Sequence, residues 1–78
     1  MMTFRISNNT SAERSFHVEP WGGKYTMKPG ASLLVKIESE TPPELECEVL
    51  EDVSLLIVHG PNGVDATVFD GDQQVIAQ

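Results

Sequence analysis

Apolar and polar residues alternate with a period of two along most of this chain, the spacing that puts one face of a β-strand on a core and the other in water. Met2 to Ser7 shows it first, with Met2, Phe4 and Ile6 on one side. Ser15 to Glu19 resumes it with Phe16 and Val18 inward, and Pro20, which can donate no ladder hydrogen bond, ends that strand or marks an edge. Gly22-Gly23 predicts a hairpin, since both residues accept positive φ. A two-residue turn there sets Trp21 opposite Lys24, Pro20 opposite Tyr25 and Val18 opposite Met27. Phe16, Val18, Pro20, Tyr25 and Met27 then share the core face, while His17, Glu19, Trp21, Lys24, Thr26 and Lys28 share the other. A one-residue bulge would reverse half of this assignment.

Pro29-Gly30 fits the centre of a type II turn. Ser32 to Glu38 follows, with Leu33, Val35 and Ile37 inward, and Thr41-Pro42-Pro43 breaks the chain. Glu44 to Val49 is the cleanest alternation, with three glutamates outward and Leu45, Cys47 and Val49 inward. Like charges along one strand suit a protected edge. Val53 to Val58 is apolar on both faces from Leu55 on, as a central strand requires. After a loop from His59 to Gly63 come a strand from Val64 to Phe69, a turn at Asp70-Gly71 and a last strand from Gln73 to Ala77. No stretch shows helical periodicity over ten residues. Seven or eight short strands separated by turn signals predict one all-β domain over residues 1–78, a small antiparallel β-sandwich of Greek-key type, with a small β-barrel as the alternative.

Size and charge narrow the function. A chain of 78 residues buries only about 60–65% of its unfolded surface, which leaves a thin core and room for one shallow site or one interface. Residues 1–36 hold five bases and two acids, a balance of +3, while residues 37–78 hold ten acids and no Lys or Arg, a balance of −10, together the net −7. This field disfavours nucleic-acid and anionic-membrane partners. Cys47 stands alone, the N-terminus lacks the layout of a signal peptide, and the longest apolar run, Leu55 to Val58, is far short of a membrane span. The expected location is the cytoplasm.

The string Glu19-Pro20-Trp21-Gly22, then Tyr25, then Pro29-Gly30, resembles one found in short uncharacterised bacterial proteins of about this length, also single β-domains. The resemblance covers residues 16–37 and implies a domain boundary. It implies no activity, cofactor or catalytic residue.

Candidate chemistry is sparse. His17, Cys47, His59 and Met27 are the residue types of a blue-copper site, but that site gathers Cys, His and Met in one loop, and here they are scattered in another order. Cys47 lies between Glu46 and Glu48, without the basic neighbour a nucleophilic thiol needs, and is expected to be a buried thiol. Glu44, Glu46 and Glu48 form a solvated row, not an acid/base pair in a cleft. Asp70-Gly71-Asp72 is a fragment of a calcium site and is explained by its turn. No enzyme, metal or cofactor is called for. Two surfaces remain. Trp21 with Tyr25, Glu19, His17 and Lys24 could form a platform for a sugar or another small ligand, although a lone Trp more often plugs the open end of a sandwich. Leu34, Leu56 and Val58 have the wrong parity for a core filled by Leu33, Val35, Leu55 and Ile57. They predict an exposed interface with a second copy or another protein, and so a non-enzymatic interaction or structural module, self-associating in its simplest form.

Overall fold

Strands form where the alternation predicts them. The computed structural model describes residues 1–60 and 63–77. Among these lie β1 (Met2–Ser7), β2 (Arg14–Glu19), β3 (Gly23–Met27), β4 (Ser32–Glu38), β5 (Glu44–Val49), β6 (Val53–His59), β7 (Asp65–Asp70) and β8 (Gln73–Gln74). The last strand is much shorter than its sequence pattern suggests, and of the expected loop between β6 and β7, Pro61 and Asn62 lie outside the described residues. The fold is all-β and sandwich-like. One sheet has the order β1-β4-β7-β8 and is antiparallel throughout. The other has the order β3-β2-β6-β5 and departs from the expected pattern at its centre, where β2 and β6 run parallel.

The buried core consists of Phe16, Val18, Met27, Leu33, Val35, Ile37, Leu56, Val58 and Val68. All nine come from β2, β3, β4, β6 and β7. Directly opposed residues of neighbouring strands share a face, so the register of β6 follows from β2. Val18 points inward and stands opposite Leu56, and His17 points outward and stands opposite Leu55. This overturns the parity expected for β6. Leu56 is 1% exposed and Val58 6%, so neither belongs to a surface patch, while Leu55 and Ile57 take the outer face, half-buried. Because Leu55 to Val58 are all aliphatic, composition does not distinguish the two faces of β6 there. Leu34 does lie on the outer face of its sheet, half-buried between Arg5 and Phe69 in register. The Lys36 ammonium sits 4.4 Å from the centre of the Phe69 ring on that same face.

The hairpin of β2 and β3 also shifts. Val18 pairs with Gly23 and Phe16 with Tyr25, so the turn is longer than two residues, and Gly22 N–H donates to the Val18 carbonyl at 2.8 Å. Each strand slips by two positions relative to the tight turn, which preserves parity. Phe16, Val18, Tyr25 and Met27 therefore keep the inner face, and Pro20 leaves it for the exposed turn. The Lys28 to Ala31 turn forms as expected: Ala31 N–H donates to the Lys28 carbonyl at 3.0 Å, and Gly30 takes φ 81°, the position only glycine occupies without strain in a type II turn.

Asn8 ties this end of the molecule together. It is a buried polar residue, 3% exposed, and its hydrogen-bonding groups are used. Its Nδ2 donates to the carbonyls of Ala12 and Met27, both at 2.9 Å, and its Oδ1 accepts from Thr10 N–H and Thr10 Oγ1. Its backbone N–H donates to the Ala31 carbonyl and its own carbonyl accepts from Gly30 N–H. The Asn8 side chain thus joins the β1–β2 loop to the end of β3, and the Asn8 backbone joins both to the glycine turn. Removing that side chain leaves buried donors and acceptors unpaired.

Asn8→Ala is expected to cost about 2–3 kcal/mol in urea denaturation, the scale of unsatisfied buried polar groups. The same measurement separates the two leucines: Leu56→Ala loses about 2–4 kcal/mol as a core truncation, whereas Leu34→Ala on the outer face loses under about 1 kcal/mol, as surface substitutions do.

Candidate functional site: the open β1/β5 side

The two long sides of the sandwich differ. On the β3/β8 side, the chain after β8 closes the gap. Val75 N–H donates to the Val68 carbonyl at 2.8 Å, and Ala77 comes so near β3 that a Cβ on Gly23 would lie 3.0 Å from the Ala77 Cβ. A side chain at this position would require Ala77 and the Tyr25 ring to give by a few tenths of an ångström.

On the β1/β5 side the 39–43 connection joins β4 to β5 at one end of the sandwich, and no described strand lies between the two edges. β5 pairs only with β6, and β1 only with β4, so each is an edge strand. On β5, Leu45 stands opposite Val58, Cys47 opposite Leu56 and Val49 opposite Ser54, which places all three on the inner face, as their alternation predicts. Their burial falls along the strand. Leu45 is half-buried, Cys47 is exposed, and Val49 is 77% exposed. Leu50, the next residue, is 45% exposed. The expectation of a buried Cys47 is therefore overturned: its inward direction is as predicted, but no layer covers it. The inner-face residues of β1, Met2, Phe4 and Ile6, are only half-buried.

A crevice marks each end of this side. One, of about 360 Å³, is lined by Ile6 on β1, by Arg14, Phe16 and Met27 from the core sheet, and by Val49 and Leu50 at the end of β5. The other lies between Met1 and Met2 and the Pro42-Pro43 entry to β5. The outer face of β5 carries Glu44, Glu46 and Glu48. The His59 Nε2 lies 2.9 Å from Glu46 Oε1, and no basic side chain pairs with Glu44 or Glu48 among the described residues. The strand thus offers a free backbone edge, a carboxylate row on one face and uncovered apolar side chains on the other.

The Trp21 platform is not assembled as expected. Trp21 lies in the β2–β3 turn and is 46% exposed, so it does not plug the sandwich. His17 and Lys24 stand opposite each other on the outer face with Glu19 two residues along β2. Tyr25 faces the other way, stacked on Phe16 with ring centres 5.3 Å apart and planes inclined by 23°. Neither crevice is lined by Trp21, which stands at the far end of β2 from Arg14. The copper-type residues are also separated: His17 is on the outer face, Met27 in the core and Cys47 on the inner face of an edge strand. Among the described residues no group of three or more His, Cys, Asp or Glu side chains is placed to hold a metal ion. No helix among them is long and apolar enough to cross a membrane.

Comparison with protein-family models, curated proteins and solved structures finds no match to this chain. The site rests on its own geometry.

A neutral maleimide is expected to modify Cys47 in the native protein at a rate within a few-fold of that in urea, because the thiol is exposed. Acrylamide is likewise expected to quench Trp21 emission in the folded state. Protection of either group would contradict the exposure described.

Proposed function

We propose that this chain is a non-catalytic protein-interaction module of the cytoplasm, and that its contact surface is the open β1/β5 side. The observation that carries the reading is the uncovered inner face of β5. Val49 and Leu50 stay exposed although Val49 points between the sheets, and Cys47 beside them is exposed as well. Contiguous apolar surface next to a free strand edge is the usual mark of a contact with another chain. The partner supplies the missing cover, either a second copy or a different protein.

This surface replaces the one expected from Leu34, Leu56 and Val58, of which only Leu34 is outside the core. A small-ligand role for Trp21, Glu19, His17 and Lys24 is the weaker alternative, since Tyr25 is turned away from them.

The test is a selection from a random displayed-peptide library, with the wild-type chain as bait and the Val49→Asp plus Leu50→Asp variant as the counter-selected control. Solution mass is measured on both by light scattering. Peptides that bind the wild type and lose about tenfold or more in affinity on the variant support the reading, as does self-association abolished by the same pair. A monomer for which no enriched peptide depends on Val49 and Leu50 overturns it.

A further inference from the structure

β5 presents two unlike faces to anything that pairs with its free edge. An added strand extends the sheet by backbone hydrogen bonds, and its side chains alternate between the two faces. Those on the outer face fall beside Glu44, Glu46 and Glu48, and those on the inner face fall beside Cys47 and Val49 in the uncovered gap. We propose that the occupant of this edge is an extended segment of another protein with lysine or arginine at alternate positions and aliphatic residues between them. This rests on the interaction reading above and specifies the partner.

Charge complementarity selects the occupant. Residues 37–78 hold ten acids and no Lys or Arg, so nothing of like sequence position neutralises the β5 row. Glu46 shares a contact with His59, and Glu44 and Glu48 have no basic partner among the described residues. A second copy of β5 is a poor occupant. Antiparallel pairing that sets Cys47 opposite Cys47 places Glu46 of each copy opposite Glu48 of the other, and like charges directly opposed are destabilising. The β1 edge of a second copy brings the single base Arg5, between Thr3 and Ser7, against three carboxylates. A strand with a base at every outward position answers all three. Its aliphatic side chains complete the layer that Phe4 and Ile6 leave half-finished. The carboxylate row thus excludes acidic and self-like strands and admits a basic one.

The probe is an eight-residue peptide alternating lysine and valine, acetylated and amidated at its ends. Four others are compared with it: one with glutamate for lysine, one with serine for lysine, and two N-methylated at alternate residues, one on each edge of the strand. Affinity is measured by calorimetry, and the site of contact by amide hydrogen exchange. The lysine peptide is expected to bind and to slow exchange within residues 44–49. Binding is expected to weaken about tenfold on Glu44→Gln plus Glu48→Gln, the scale of two lost charge pairs, and further at about 0.5 M salt. These two glutamates make no internal contact, so the variant folds as the wild type does. One N-methylated form, the one that blocks the pairing edge, is expected to lose binding.

Equal binding of the serine or glutamate peptide, protected at residues 44–49 and lost on Val49→Asp, overturns the basic-strand proposal and leaves the interaction reading standing. Self-association that the lysine peptide does not compete away also overturns the proposal alone. Absence of any protection at residues 44–49, together with a monomer indifferent to Val49→Asp plus Leu50→Asp, overturns both.

Discussion

Among the described residues, nine buried side chains from five of the eight strands form the core between two four-stranded sheets. That core stabilises the centre of the sandwich, and half-buried side chains of β1, β5 and the segment after β8 pack against it. One side is closed by the chain after β8, with Val75 bonded to Val68 and Ala77 against Gly23. The other is bordered by β1 and β5, where Met2, Phe4, Ile6 and Leu45 pack against the core while Cys47 and Val49 stay exposed. Burial along β5 therefore declines from Leu45 to Val49 although the direction of its side chains never changes. The open side is a consequence of too few large residues for the number of strands, which is the general difficulty of domains this small.

Within that limit the ends of the sandwich are fixed by polar contacts. Asn8 does this at one end, drawing the β1–β2 loop, the last residue of β3 and the Gly30 turn into one hydrogen-bonded unit. Because β1 leads into Asn8, the same contacts hold the β1 edge in place beside the larger crevice, where Ile6, Val49 and Leu50 come together. The Asn8 contacts thus anchor the β1 flank of the crevice, and β5 on the other flank keeps a free backbone edge among the described residues.

Much of this was legible in the sequence. Period-two alternation located β1, β4 and β5 to the residue, and the polar Ser32, Lys36 and Glu38 set the phase that turns Leu33, Val35 and Ile37 inward. It failed at β6, where Leu55 to Val58 carries no polar marker and the face is set only by pairing with Val18 of a distant strand. The length of the β2–β3 turn was misjudged, yet the slip was even, so Phe16 and Met27 kept their places while Pro20 left the core face. Direction was readable for Cys47 and Val49, and cover was not. Whether a second layer lies over an edge strand depends on how the two sheets overlap, which no local pattern encodes. The same is true of Trp21, whose exposure follows from the length of a turn.

A contact surface on the open side requires the inner face of β5 to be exposed, and methyl relaxation by a soluble paramagnetic agent in solution measures that exposure directly. The methyls of Val49 should relax nearly as strongly as those of Ile76, which is 85% exposed, while those of Val35 and Val68, at 0% and 2%, stay protected. Val49 methyls as protected as those of Val68 would mean that the sandwich closes on this side, and the proposed contact surface would not exist.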